Sequence, residues 1–267
     1  MQYSDYYRKC RMSYGEENSP PIEQFYSDPV IRIPHENFGE EYMDAVNKLS
    51  EGAKKDFDHM DPDTIMTKHD NLWKYTTEIN AISNPLVSYL EGVKYGCYLY
   101  VDKIYIYRTA KFENRESSYL WHYDNNPLEI IKNIIYLNDV NDLNSPFEYL
   151  RDPKGRGLSV SPTRTGTQQW TAPPNNSRLT EEQIESLISQ GCSPHKVHGN
   201  KGTTYAFCNS AIHRANPLIE GYRDVINIRV KPTLKKPPQP VDQRWTTGFE
   251  TTGAVLPDPQ KDWTTFI

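Results

Sequence analysis

The sequence predicts a mainly β protein with flanking helices, in which helices pack on one side of an antiparallel sandwich or barrel. Three observations carry this. Segments rich in aromatic and β-branched residues recur through the second half of the chain, amphipathic helical spacing is concentrated in the first half, and one capped helix interrupts the strand series. The length of 267 residues suits one large domain.

Residues 1–35 carry Pro20, Pro21, Pro29 and Pro34 with little periodicity, and are expected to lie as an arm over the surface. Residues 36–97 are expected to give helical support. There Asn37 and Glu40 form a capping-box pattern, and Phe38, Tyr42, Val46 and Leu49 recur at helical spacing before Gly52. The run YLYVDKIYIYRT, residues 98–109, predicts a strand or hairpin, and further strands are expected at 119–124, 133–138, 203–208 and 223–231. Thr180 with Gln183 forms a second capping box, followed by Ile184, Leu187, Ile188 and Gly191 as the stop. The core is therefore expected over 98–232 with an insertion at 151–200, and 233–267 as a strap drawn across it.

Composition narrows the function classes. With 30 Lys+Arg against 35 Asp+Glu the net charge is −5, which argues against a nucleic-acid partner. No run reaches the roughly 18 apolar residues of a membrane helix, and MQYSDYYRKC lacks an apolar leader core, so a cytoplasmic protein is expected. Cys10, Cys97, Cys192 and Cys208 lack metal-knuckle spacing and are expected as reduced thiols.

The chemistry is expected around LWHYDNN. His122 and Asp124 are two apart in a β-like segment, so period two puts both on one face, about 7 Å apart along the chain, within reach of one metal ion. His213, after the apolar run TTYAFC, is the best-placed third ligand. Two imidazoles and a carboxylate on one face of an octahedron form the facial triad of non-haem Fe(II) oxygenases. A His-x-Asp pair is weak evidence alone, and His59 with Asp61 is a second one, read as a charged loop beside Pro62. His195 and His198, three apart, lack a third ligand cluster and read as solvated loop residues rather than a zinc site.

The flanking blocks add a resemblance. Trp121 to Asp124, then Tyr136 to Val140 (YLNDV), then Pro146 to Tyr149 (PFEY) resemble the phytanoyl-CoA dioxygenase-like branch of the Fe(II)- and 2-oxoglutarate-dependent oxygenases. So do Gly202, His213, Arg214 and Arg223 in the distal block GTTYAFCNSAIHRANPLIEGYRDVINIRV. The resemblance spans about residues 98–232 and implies a double-stranded β-helix (jelly-roll, cupin-like) core. It further implies that His122, Asp124 and His213 hold Fe(II), that Arg223 holds the far carboxylate of 2-oxoglutarate, and that O2 is the second co-substrate. Hydroxylation of an aliphatic C–H in a small-molecule substrate, with release of succinate and CO2, is the implied reaction. Tyr107 and Arg108 fall where relatives place a further co-substrate contact, with their facing left open. Arg223 also admits a structural role, as an ion-pair partner of Asp224 or Glu220.

Residue chemistry agrees with these roles. A planar guanidinium pairs with a carboxylate through two charge-assisted hydrogen bonds that lysine cannot match. Arg223, Val225, Asn227 and Arg229 share one face of the last strand, and Ile226, Ile228 and Val230 the other. The chain departs from the family after PFEY, where RDPKGRGLSVSPTRTGTQQW replaces a short Gly-Ser-His turn; such loops form lids or substrate walls. A non-catalytic binding or structural protein on the same fold, or a zinc hydrolase using the same three ligands, are the competing readings.

Overall fold

The structure is a computed structural model describing residues 3–15, 19–60, 66–68, 71–109, 117–124, 127–160 and 178–237. In chain order its main elements are α1 (Tyr3–Tyr14), α2 (Ile22–Ser27), β1 (Val30–Ile33), α3 (Glu40–Phe57), β2 (Met66–Lys68), α4 (Thr76–Tyr89), β3 (Leu99–Thr109), β4 (Ile131–Tyr136), β5 (Phe147–Arg151), α5 (Glu181–Ser189), β6 (Ser193–Val197), β7 (Thr204–Cys208), β8 (His213–Ala215) and β9 (Arg223–Pro232). Two antiparallel sheets result. The larger runs β1-β7-β4-β9-β3-β2 and the smaller β6-β5-β8.

Alternation along β9 decides which layer lies where. Ile226, Ile228 and Val230 are fully buried in one cluster with Val46, Leu49 and Ala53 of α3 and Ile79, Ile82 and Leu86 of α4. Each large aliphatic side chain so buried contributes roughly 1.5–3 kcal/mol. The opposite face, bearing Arg223 and Asn227, lines a cavity with Phe147 of β5 and His213 of β8, as the alternation requires.

Most expected strands are present, within two residues at their ends. The segment 119–124 is the exception: a 3-10 turn covers Ser117–Tyr119, and only His122 forms isolated bridges, to Arg178 and His213. Residues 1–35 also depart from the expected surface arm. Their prolines separate two helices and an edge strand whose Tyr6, Tyr7, Cys10, Phe25, Val30 and Ile33 are buried in the main core.

Two local signals misplace α3. Asn37 provides no cap, because residues His35–Phe38 form a 3-10 turn and Gly39, at φ +81°, occupies the N-cap position. Gly52 does not stop the helix, which continues to Phe57; a Cβ there would lie 2.5 Å from the Tyr75 ring, so Gly52 marks a close approach. The capping box of α5 forms as expected: Thr180 accepts from the Gln183 amide, Gln183 bonds back to the Thr180 amide, and Gly191 follows at φ +91°.

Of the expected insertion, residues 161–177 lie outside those described, as does Asp61 of the second His-x-Asp pair. The same holds for the strap beyond residue 237. His195 sits on β6 rather than in a loop, its ring edge-on to Tyr149, and His198 Nε2 lies 3.3 Å from Asp142 Oδ1.

Candidate active site

Backbone pairing assembles the site. The His122 amide donates to the His213 carbonyl at 3.0 Å and the His213 amide to the His122 carbonyl at 2.8 Å, which sets the two imidazoles side by side with ring centroids 4.2 Å apart. Each ring is then oriented by its own chain. His122 Nδ1 is 2.8 Å from the Leu120 carbonyl, and His213 Nδ1 is 2.7 Å from the Ala211 carbonyl. A carbonyl only accepts, so each Nδ1 carries the proton and each Nε2 keeps its lone pair, as metal-ligating histidines require. Burial, with Phe147 and Phe207 packed on His213, pushes the His213 pKa down to about 4. Burial and the neighbouring His213 push His122 well below the usual range. Both imidazoles are neutral at pH 7.

Asp124 is bonded through its amide to the Asn209 carbonyl at 2.7 Å. Its carboxylate is taken by Lys132 of β4. Burial opposes ionisation, yet Lys132 and the two imidazoles hold the carboxyl well below the usual range. Among the described residues no three His, Cys, Asp or Glu side chains converge to metal-binding distance. His122 and His213 are thus adjacent, with Asp124 turned to a lysine that lines the same cavity.

The cavity has a volume of about 110 Å³ and is lined by Tyr107, His122, Lys132, Phe207, His213, Arg223 and Asn227, among others. Arg223 is 3% exposed; its Nε donates to Thr109 Oγ1 at 3.2 Å and its Nη1 to the Ser145 carbonyl. Asp224 is engaged elsewhere, by Arg108 Nε at 2.7 Å, and neither it nor Glu220 forms an ion pair with Arg223 among the described residues. The guanidinium has no carboxylate partner among the described residues, and a buried cation without one is costly unless an anion is delivered to it. Asn227 adds a second vacancy in hydrogen bonding: its Oδ1 is buried without a partner.

Strand alternation settles the facing left open at residues 107 and 108. Tyr107 lines the cavity, and burial raises its pKa against the lowering influence of Arg223. Arg108 lies on the helix side, bound to Asp224 and to Asp58 at 2.7 Å each. Sequence reasoning missed Lys132, Ser145 and Thr109. Lys132 beside Asn133 in the otherwise apolar run IKNIIY was the one available signal.

Solved structures supply the remaining comparison. EctD from S. alaskensis with bound Fe matches with a TM-score of 0.54 at 18% identity, over 80% of this chain and 78% of that one. The non-heme alpha ketoglutarate dependent epimerase SnoN from nogalamycin biosynthesis matches with a TM-score of 0.54 at 12% identity, over 88% of this chain and 93% of that one. The likeness is one of fold, a jelly-roll core. No family model matches the sequence, and no curated protein matches it.

The donor set fits the expected groups. Two neutral, pre-oriented imidazoles suit Fe(II), a buried guanidinium at the cavity wall suits a dicarboxylate, and Asp124, the third donor by type, is engaged by Lys132 instead of converging with the imidazoles. Leu179 and Ile184 line a second cavity of about 260 Å³ that shares Arg214 with the first.

Proposed function

We propose that this protein is an Fe(II)- and 2-oxoglutarate-dependent oxygenase that hydroxylates an aliphatic C–H of a small molecule. One observation carries the reading: a single cavity joins two carbonyl-locked imidazoles, His122 and His213, to a buried guanidinium, Arg223, with no carboxylate partner among the described residues. The comparisons support it through fold: EctD was solved with bound Fe and SnoN is named as alpha ketoglutarate dependent.

In this reading His122, His213 and Asp124 hold the metal and Arg223 the outer carboxylate of the co-substrate, with Tyr107 beside it. Bound Fe(II), with 2-oxoglutarate and O2, supplies the oxidising power for C–H hydroxylation, releasing succinate and CO2. The chain's own task is positioning. The Leu120 and Ala211 carbonyls keep both Nε2 lone pairs available at neutral pH, and Lys132 holds Asp124 as the carboxylate that would serve as the third ligand. Phe147, Phe207 and Ile134 exclude water from the cavity wall between the imidazoles and Arg223.

The phytanoyl-CoA dioxygenase-like branch is our finer reading, supported by the blocks at 121–124, 136–140 and 146–149. No described helix is long and apolar enough to cross a membrane, and the four cysteines are buried and unbridged, which supports a cytoplasmic setting.

The test is anaerobic. Addition of Fe(II) and then 2-oxoglutarate to the purified protein gives the visible charge-transfer absorption of the chelated metal, and His122→Ala abolishes it. Its absence from the folded wild type overturns the reading. The Lys132–Asp124 pair favours one alternative, a non-catalytic binding protein on the same fold. Iron- and O2-dependent conversion of 2-oxoglutarate to succinate separates that alternative, and equally a zinc hydrolase, from the oxygenase.

A further inference from the structure

The cavity face of the larger sheet carries an arrangement that a stable sheet avoids. Lys103 of β3 is directly opposite Arg229 of β9, and Arg229 is directly opposite Lys132 of β4. Three cations therefore stand in register on three adjacent strands. Paired residues of antiparallel strands share a face, and Lys132 lines the cavity with Asn227, two residues before Arg229, so this is the cavity side. Like charges directly opposite each other destabilise a sheet, so the row needs an anion.

Two carboxylates answer it in part. Asp102, 1% exposed and set into a bulge of β3, binds Arg229 and also Lys231 at 2.9 Å. Asp124 binds Lys132. No ion pair to Lys103 is present among the described residues, and burial together with Arg229 lowers its pKa. Arg178, bridged through its backbone to His122, adds a further positive charge near Asp124.

Metal loading sharpens the imbalance. With the metal's two charges met by Asp124 and the co-substrate, whose outer carboxylate Arg223 would meet, the centre would be neutral and Lys132 would be left without its present counter-ion. We propose that the primary substrate carries an anionic group, a carboxylate or a phosphate monoester, which seats on the row Lys103–Arg229–Lys132. This deepens the oxygenase reading and rests on it. The cations lie beside the Asp124 ligand, so the group that docks there sets which carbon faces the metal. The net charge of −5 belongs to the rest of the molecule and makes the row a local attractor for anions.

The test is calorimetric, on protein loaded anaerobically with Mn(II) and 2-oxoglutarate, with methyl phosphate and propionate as probes. The wild type is expected to bind one of them saturably, which also tells phosphate from carboxylate. Lys103→Met and Lys132→Met are each expected to weaken that binding at least fivefold, while Lys103→Met leaves the 2-oxoglutarate dissociation constant within twofold. Failure of both probes to bind, equal binding by wild type and variants, or a loss confined to 2-oxoglutarate affinity overturns the proposal. Should Lys132→Met not fold, Lys103→Met alone decides. Should the wild type take up no 2-oxoglutarate in the presence of Mn(II), the oxygenase reading fails; the same titrations on metal-free protein then judge the row by Lys103→Met.

Discussion

Lys94 shows at the scale of one residue what an uncompensated buried charge does. It is 8% exposed beneath Phe25, its ammonium reaching, among the described residues, only the Asp28 carbonyl at 3.2 Å and the Gln24 carbonyl at 3.5 Å, and burial lowers its pKa. For a base with a depressed folded-state pKa, the unfolded chain binds more protons between that value and 10.5, so stability rises with pH over that window. Below it both states are charged and the full burial cost is present. Lys94→Met therefore stabilises the protein by about 1–2 kcal/mol at pH 7, and its advantage shrinks as pH approaches 10.5. Urea denaturation of both proteins at pH 7 and pH 9.5 checks this; an advantage that grows with pH contradicts it. Arg223 has a similar predicament in a different setting: it shares its cavity with the paired imidazoles of His122 and His213, whereas Lys94 lines a separate, smaller one and is held against backbone carbonyls.

At the scale of elements, α3 exposes the limits of local signals. The helical face Tyr42, Val46 and Leu49 was legible because burial of a 3.6-period stripe is a property of the segment itself. Its boundaries were not. Gly52 reads as a stop in isolation and is instead the place where the Tyr75 ring, tied by its hydroxyl to Asp56 at 2.7 Å, crosses the helix. Gly52→Ala gains roughly 1 kcal/mol of helix propensity but forces apart a contact closer than carbon atoms tolerate, at a cost of about 1–3 kcal/mol. The expected result is a net loss of stability by chemical denaturation, where an exposed helical glycine would show a gain. The α5 capping box was legible for the opposite reason, since both of its hydrogen bonds close within four residues.

At the scale of the whole molecule, the strand faces were readable and the pairings were not. Alternation on β9 separated the Arg223 face from the Ile226 face. His213 was legible as a third-ligand candidate, but its backbone pairing with His122, 91 residues away, was not, because register between distant strands leaves no local trace. The 119–124 segment failed as a strand for the same reason: its extended residues find partners one at a time, from β8 and from Arg178. Lys103, Arg229 and Lys132 are likewise unremarkable in sequence and become a row only when β3, β9 and β4 lie side by side. Asp102 is the carboxylate that lets this sheet close. Asp102→Asn keeps the shape but leaves Arg229 and Lys231 uncompensated, and is expected to destabilise by about 3–5 kcal/mol. If the row accepts anions, part of that loss is recovered in phosphate relative to chloride at equal ionic strength, because a ligand that binds only the folded state stabilises it. Thermal unfolding of wild type and variant in both salts decides the point: a variant whose deficit is the same in phosphate and in chloride has no anion site on this sheet.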